Sequence, residues 1–233
     1  MTWKQDALVH AKDQDPKESC GLLIDVKGKE KYYPCKNLSS YSQQCFIIDP
    51  NDYAKAEDTG KVLAVIHSHP VTPPVPSQAD MISCEKSGII WHIVNPKTEQ
   101  WGFYKPSGYK PPLIGRHWVW GITDCWSLVR DWYKEKLGIT LRDWDRPTTP
   151  EEFIENPMFE KCSEATGFKE LRPEEKLQNG DLLFMSIMAT GLNHVAIFID
   201  GDVLHHLADR ISCKEPYNQW LLKCTGKRLR YAQ

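Results

Sequence analysis

The chain has 233 residues, of which 41% are hydrophobic and 26% are charged, and its formal net charge is −2. This composition is typical of a globular protein and excludes a disordered or fibrous chain. The near-neutral charge gives no global attraction to nucleic acid, and no apolar run approaches the roughly 18 residues of an integral membrane segment. The N-terminus lacks a basic segment followed by an apolar stretch, so we expect no signal peptide and synthesis in a reducing cytoplasm.

The hydrophobic pattern of the first half predicts helices mixed with short strands. Helices are predicted over about 3–13, 49–59 and 77–87, and strands over 20–24, 31–33, 46–48, 62–66, 89–94 and 100–104.

Residues 105–112 contain three prolines and a glycine, which predicts a linker. The domains are therefore expected at 1–107 and 112–233. In the second half, a long amphipathic helix is predicted over 124–136 and a short one from Glu151. Strands of one antiparallel sheet are predicted over 181–185, 195–199 and 203–205.

Eight cysteines occur without a Cys-x-x-Cys pair, which disfavours a thiolate zinc knuckle. In a chain without a secretion signal, buried free thiols are favoured over disulfides. Most of these cysteines are predicted to fill the core, and Cys125 is the exception.

His67 and His69 stand two apart at the end of a predicted strand, so both side chains project to one side. Asp80 follows one helical turn beyond Ser77. Two imidazoles and a carboxylate leave one position of a zinc ion open for water, as catalytic zinc requires. Glu18 is a candidate base for that water. A solvated loop with two incidental histidines is the alternative, and local chemistry alone leaves both open.

The string Glu18 … His67-x-His69-x(7)-Ser77-x(2)-Asp80 resembles, position for position, the motif of the JAMM (MPN+) metallopeptidases. The resemblance covers roughly residues 1–106. It implies that His67, His69 and Asp80 bind zinc (Zn²⁺) and that Glu18 is the general acid/base. It also implies that Ser77 donates a hydrogen bond to the tetrahedral oxyanion.

Cys125 is predicted in the first turn of the helix that begins near Asp124, where the unpaired N–H groups and the helix dipole favour a thiolate. A lowered thiol pKa is therefore expected. His194 opens a predicted strand and is a candidate base, and His205 or His206 in the next strand can orient its ring. A buried thiol with ordinary histidines is the alternative, and residue types alone favour it.

The second half resembles the NlpC-type cysteine peptidases of the papain-like clan over about residues 112–233. The segments that carry the resemblance are Trp118–Gly121, Asp124–Val129, Gly180–Leu182, His194–Ile197 and Leu204–His205. The resemblance implies Cys125 as nucleophile, His194 as base and His205 as the orienting residue, with His206 as its rival.

The sequence departs from the pattern of these peptidases at Trp126, Ser127 and Ala196. The tyrosine that usually precedes the nucleophile also has no counterpart. These differences are expected to affect substrate choice more than the nucleophile itself.

A JAMM-like half followed by an NlpC-like half is similar to the tail-tip assembly proteins of lambda-like phages. The resemblance implies an α+β chain with two domains, a JAMM-like mixed sheet with helices and then a papain-like helix plus antiparallel sheet. It implies that the second half cleaves peptidoglycan stem peptides, typically next to D-glutamate and diaminopimelate, and that the zinc half hydrolyses an amide or isopeptide bond.

The same resemblance implies peptidoglycan peptides and other phage tail-tip proteins as partners. It places the chain in the host cytoplasm during assembly and then at the virion tail tip. Two alternatives remain open. One is a non-catalytic tail assembly scaffold that retains peptidase folds, and the other is a protease of ubiquitin-like modifiers, which leaves the second half without a role.

Overall fold

The computed structural model describes residues 2–147, 152–153 and 158–232. The chain divides into two compact units, Met1–Lys110 and Pro111–Gln233. Each unit combines helices with one sheet, so the predicted α+β class is confirmed. Within the described ranges, no helix has both the length and the apolar character needed to cross a bilayer.

The first unit is a five-stranded mixed sheet with helices packed against it. The strands lie in the order β2-β1-β3-β4-β5, with β3 and β4 parallel and the other neighbours antiparallel. The elements are α1 Trp3–Gln14, β1 Cys20–Val26, β2 Lys29–Cys35, α2 Pro50–Thr59, β3 Lys61–Ser68, α3 Gln78–Ser87, β4 Ile90–Val94 and β5 Trp101–Tyr104.

Helices cover both faces of this sheet. Ala7 of α1 packs with Leu23 on one face, and Ala56 of α2 packs with Leu22 on the other. Because successive side chains of a strand point to opposite faces, β1 must be apolar at almost every position when both faces are covered. This explains the uninterrupted Cys20–Ile24 run, whose residues are all buried.

The predicted strand at 46–48 is wrong, since only an isolated bridge between Asn37 and Ile48 forms there. The Oδ1 atom of Asn37 accepts the N–H of Ile47 at 3.1 Å and the N–H of Ser39 at 2.9 Å. The Asn37 side chain thus accepts the backbone N–H of Ile47, which in a regular strand would pair with a neighbouring strand. The apolar side chains instead cover the sheet, with Phe46 packed on Trp91 at a ring distance of 5.4 Å.

The second unit is a six-stranded antiparallel sheet in the order β10-β9-β8-β7-β11-β6, with α4 packed on β8 and β9. Its elements are α4 Cys125–Trp132, a π-helical turn Tyr133–Leu137, α5 Met158–Cys162, a 3₁₀ turn Glu164–Thr166, β6 Phe168–Glu170, β7 Leu182–Met185, β8 His194–Ile199, β9 Asp202–His205, β10 Cys213–Pro216, α6 Gln219–Cys224 and β11 Thr225–Tyr231.

The predicted helix over 124–136 forms as α4 and the π-helical turn, and it ends at Gly138, whose left-handed φ of 70° closes it. The short helix predicted from Glu151 lies largely outside the described residues. Strand β11 was not predicted because Arg228 and Arg230 break its apolar pattern. Arg230 is tolerated there because its guanidinium binds both carboxylate oxygens of Asp181, at 2.9 and 2.7 Å.

All eight cysteines are free thiols. Four of them, Cys20, Cys35, Cys84 and Cys125, are buried, and the other four are half-buried.

The first unit should fold without the second, because it has its own sheet and core and its last residues are held within it. Glu85 accepts the backbone N–H groups of Ser107, Gly108 and Tyr109 at 2.6, 3.1 and 3.0 Å. Residues 1–110 expressed alone are expected to unfold in one cooperative thermal transition followed by circular dichroism. A chain ending at residue 99, which lacks β5, is the control and should be markedly less stable. Absence of a cooperative transition in 1–110 would show that the units depend on each other.

Candidate active sites

Three buried ligand atoms converge at the end of β3. The Nε2 atoms of His67 and His69 lie 3.1 Å apart. Asp80, in the first turn of α3, places Oδ1 at 3.2 Å from the Nε2 of His67 and Oδ2 at 3.3 Å from the Nε2 of His69. Zinc bound tetrahedrally at roughly 2.0–2.1 Å separates nitrogen and oxygen ligands by roughly 3.3 Å. The donor set therefore fits a zinc ion.

The orientation of His69 is fixed by the proline-rich loop. Its Nδ1 lies 3.1 Å from the carbonyl oxygen of Pro73, which can only accept, so Nδ1 carries the proton. The Nε2 of a neutral ring then has a free lone pair facing Asp80 and His67. The loop itself is tied down by Asn95, whose amide donates to the Thr72 carbonyl at 2.9 Å.

Asp80 is held in place by the helix that it helps to begin. Its backbone N–H donates to the Ser77 Oγ at 3.1 Å, and its Oδ2 accepts the Ser77 N–H at 2.7 Å, which is a capping box. Burial opposes the ionisation of Asp80, but His67 and His69 more than offset it and hold its pKa below the usual range. Asp80 is therefore a carboxylate at neutral pH.

Glu18 lies beside these groups, with Oε1 at 3.9 Å from the Nε2 of His69. Burial raises its pKa to about 6, against the lowering effect of His67 and His69. Ser68, which separates the two histidines, fixes the neighbouring chain, since its Oγ accepts the Ser19 N–H at 2.8 Å. Ser68 was not singled out in the sequence because only the pairing of β1 with β3 places it next to Ser19.

In the second unit, Cys125 is the first residue of α4 and follows the N-cap residue Asp124. The carboxylate of Asp124 accepts the N–H groups of Ser127 at 2.9 Å and Gly121 at 3.1 Å. It also forms a two-pronged ion pair with Arg146, at 2.8 Å to Nε and 3.0 Å to Nη2. Arg146 was missed in the sequence, since nothing local links it to a position 22 residues earlier.

The expected lowering of the Cys125 pKa is wrong for this structure. Burial, and next the charge of Asp124, raise its pKa to about 12, although the N–H groups of Val195 and Trp126 and the charge of Arg146 oppose the shift. The helix N-terminus that was expected to favour the thiolate therefore also carries the buried carboxylate that opposes it. The thiol is protonated at neutral pH.

His194 and His205 are brought together by the pairing of β8 with β9. His205 is opposite Ala196, so His194 lies two residues along on the same face. The His194 Nε2 is 3.3 Å from the His205 Nδ1, and the His205 Nε2 is 2.8 Å from Oε1 of Glu215. Glu215 was missed because it stands on β10, a short polar edge strand that the sequence pattern did not predict.

His206 does not form a hydrogen bond with His194. Its Nε2 donates to the Arg210 carbonyl at 3.0 Å, on the other side of the chain from His205. One residue along an extended chain reverses the side-chain direction, so of the two neighbouring histidines His205 lies within hydrogen-bond distance of His194. Burial lowers the pKa of His206 to about 4, so its ring is neutral.

A cavity of about 30 Å³ lies beside Cys125 and is almost entirely apolar. Its volume is enough for about one water molecule. Among the described residues its lining includes Trp120, Trp126, Phe159 and Phe184.

Two family descriptions match the chain. Residues 3–105 match the prokaryotic homologs of the JAB domain, and residues 115–230 match the NlpC/P60 family. The two matches fall in the first and the second compact unit respectively.

Three curated proteins are similar to the chain. Tail tip assembly protein K of Escherichia phage N15 is 35% identical over 227 residues, covering 96% of this chain and 92% of that protein. Tail tip assembly protein K of Escherichia phage lambda is 33% identical over 175 residues, covering 74% and 84%. Desampylase of Pyrococcus furiosus is 36% identical over 87 residues, covering 35% of this chain and 62% of that protein.

Replacing Arg146 by alanine should strongly destabilise the second unit, because it leaves the buried carboxylate of Asp124 without its counter-charge. Breaking such a pair from one side costs about 3–5 kcal/mol. The matched control is Arg172→Ala, which removes exposed ion pairs with Glu174 and Glu175 and should cost about 1 kcal/mol or less. Urea unfolding of both variants measures the difference. Equal losses in the two variants would mean that Asp124 does not depend on Arg146.

Proposed function

The chain belongs to the family of the phage tail tip assembly protein K, and from this premise we propose that it is a tail-tip hydrolase with two active sites. The second site cleaves the stem peptides of peptidoglycan, with Cys125 as its nucleophile. The first is a zinc site that hydrolyses an amide or isopeptide bond. The two sites belong to separate domains, 1–107 and 112–233. The chain assembles with other tail-tip proteins in the host cytoplasm and remains at the tip of the virion.

The observation that carries the peptidase proposal is the chain of hydrogen bonds from His194 through His205 to Glu215. The Glu215 carboxylate only accepts, so the His205 Nε2 donates to it. Burial lowers the pKa of His205, so its ring is neutral and its Nδ1 accepts. The His194 Nε2 must then donate to that atom, which leaves the His194 Nδ1 with a lone pair for a proton.

His194 is suited to act as a general base. Burial lowers the pKa of His194 well below 6.5. The Cys125 thiol is protonated at rest, so its proton must leave as the sulfur attacks the substrate carbonyl. A neutral imidazole takes that proton, and the imidazolium is then stabilised through His205 by the negative charge of Glu215. Glu215 and His205 are therefore positioning residues.

In the first half, His67, His69 and one oxygen of Asp80 would hold the zinc ion. The ion, when bound, acidifies a water molecule and polarises a carbonyl group. Glu18 provides a carboxylate whose raised pKa of about 6 suits a proton acceptor near neutral pH. The Ser77 Oγ accepts the Asp80 N–H, so its own hydroxyl proton remains available for an oxyanion.

A non-catalytic assembly role is the second candidate, and the environment of Cys125 favours it. The thiol is buried, its pKa is raised to about 12, and the adjoining cavity is small. A buried and protonated thiol is typical of a structural cysteine. Turnover by Cys125 separates this candidate from the peptidase.

The full chain is expected to release peptides from purified peptidoglycan, and Cys125→Ser should lose this activity by on the order of 10³-fold or more. A metal chelator should leave it intact, because no group of the cysteine site needs the zinc ion. Cys224→Ser, which changes a half-buried thiol of the same unit, is the control. Soluble products are measured by chromatography. If Cys125→Ser cleaves as well as the wild type, the C-terminal half is a scaffold.

The dependence of kcat/KM on pH tests the role of His194 in the same assay. A base acts in its unprotonated form, and a lowered pKa keeps it unprotonated further into acid. The acid limb of the profile should therefore fall below the ordinary histidine value of 6.5. A midpoint above 6.5 would rule out a buried, neutral His194 as the base.

Replacing both His67 and His69 by alanine should remove one tightly bound zinc ion per chain, as measured by metal analysis. Glu18→Gln should keep that ion and lower hydrolysis of an isopeptide substrate by about 10²–10⁴-fold, since a base is not a ligand. His10→Ala is the control, because His10 bonds to Tyr32 away from the site. Undiminished zinc in the double variant would disprove the ligand assignment.

A further inference from the structure

A second group of metal-ligating side chains lies at the far end of the histidine pair. His205, Cys213 and Glu215 each place one ligand atom within 4.8 Å of the other two. His205 is directly opposite Cys213 in the pairing of β9 with β10. Glu215 is two residues beyond Cys213, so both side chains leave β10 on the same face. The sheet register thus builds this cluster.

The three donors are those that zinc takes in proteins, an imidazole nitrogen, a thiolate and a carboxylate. His205 is buried, whereas Cys213 and Glu215 are half-exposed, so an ion can enter from solvent and keep a water ligand. Arg210 is the positive group that acts on both His205 and Cys213. The two negative charges of a Cys213 thiolate and Glu215 outweigh it.

We propose that His205, Cys213 and Glu215 bind a thiophilic divalent cation such as Zn²⁺, and that this ion switches the cysteine site off. The inhibitory step rests on the proposed peptidase function, whereas the binding itself does not. On binding, the Cys213 thiol releases its proton to solvent. The ion takes the Nε2 lone pair of His205, which replaces the hydrogen bond of that atom to Glu215.

The switch follows from the direction of the hydrogen bonds. A neutral His205 bound through Nε2 carries its proton on Nδ1, so Nδ1 now donates to the His194 Nε2 instead of accepting from it. The neutral His194 must then carry its proton on Nδ1. That atom no longer has a lone pair for the Cys125 proton. The His205 Nε2 proton leaves to solvent, the His194 Nε2 proton moves to the His205 Nδ1 across their hydrogen bond, and the His194 Nδ1 takes one proton from solvent, so the two rings keep the same number of protons.

Cobalt substitution tests binding independently of activity. The first site has no sulfur ligand, so a thiolate-to-cobalt charge-transfer band in the full chain reports the second cluster. The band should appear on titration with Co²⁺ under a phosphine reductant and vanish in Cys213→Ser. The controls are Cys45→Ser and Cys224→Ser, and both variants should keep the band. Cys45 is included because Glu18 and Asp80 of the first site act on the pKa of its thiol. Thermal unfolding checks that each variant is folded, and Cys213→Val replaces Cys213→Ser if it is not.

A band that persists in Cys213→Ser, or that disappears equally in Cys224→Ser, would overturn the site.

The inhibitory step is tested by the ratio of the peptidoglycan cleavage rates with and without added Zn²⁺, taken for each variant separately. Added Zn²⁺ should lower the cleavage rate of the wild type at least about 10-fold, so that its ratio is about 0.1 or less. In Cys213→Ser the ratio should stay near one. A wild-type ratio near one would refute the switch. A chain without any cleavage would refute the proposed peptidase and leave the cobalt result to decide the site.

Discussion

The need to satisfy a buried carboxylate at the start of a helix shapes both units. Asp80 is the third residue of α3 and accepts the backbone N–H of the N-cap Ser77. Asp124 is itself the N-cap of α4 and accepts the backbone N–H of Ser127. Each also has a second set of partners, His67 and His69 for Asp80 and Arg146 for Asp124. An uncompensated buried charge costs several kcal/mol, so these partners must stay in place as long as the unit is folded. The helix start thereby becomes a fixed point in each unit.

The two carboxylates have opposite consequences for their neighbours. Asp80 faces two ring nitrogens, and its charge contributes to a raised pKa of His69 and to a centre that attracts a cation. Asp124 is already neutralised by Arg146, and its remaining effect on the adjacent Cys125 is to disfavour a second negative charge. The first site is therefore built to hold a positive charge. The second keeps the Cys125 thiol protonated.

In each site, a hydrogen bond to the chain of a neighbouring strand helps to fix the strand that carries a histidine. Ser68 of β3 accepts the N–H of Ser19, just before β1, and His205 of β9 bonds to Glu215 of β10. Side chains on paired strands hold their relative positions as long as the register holds. In the second unit, Glu215 on the edge strand β10 therefore sets the tautomer of His194, which lies two strands away on β8. Such an edge is open to solvent, and a small charged ligand can therefore reach it.

The local patterns of the sequence were enough to predict that His67 and His69 lie at a strand end and that Cys125 lies at a helix start. His67 and His69 alternate with one residue at a strand end, and Cys125 follows a capping residue, and both patterns act over a few residues. Glu215 and Arg146 are different, because strand pairing and a distant ion pair bring them in from positions that local periodicity does not connect. The protonation of Cys125 could not be predicted from the sequence either. A helix start by itself favours a thiolate, and only the burial in the folded unit and the fixed charge of Asp124 reverse that preference.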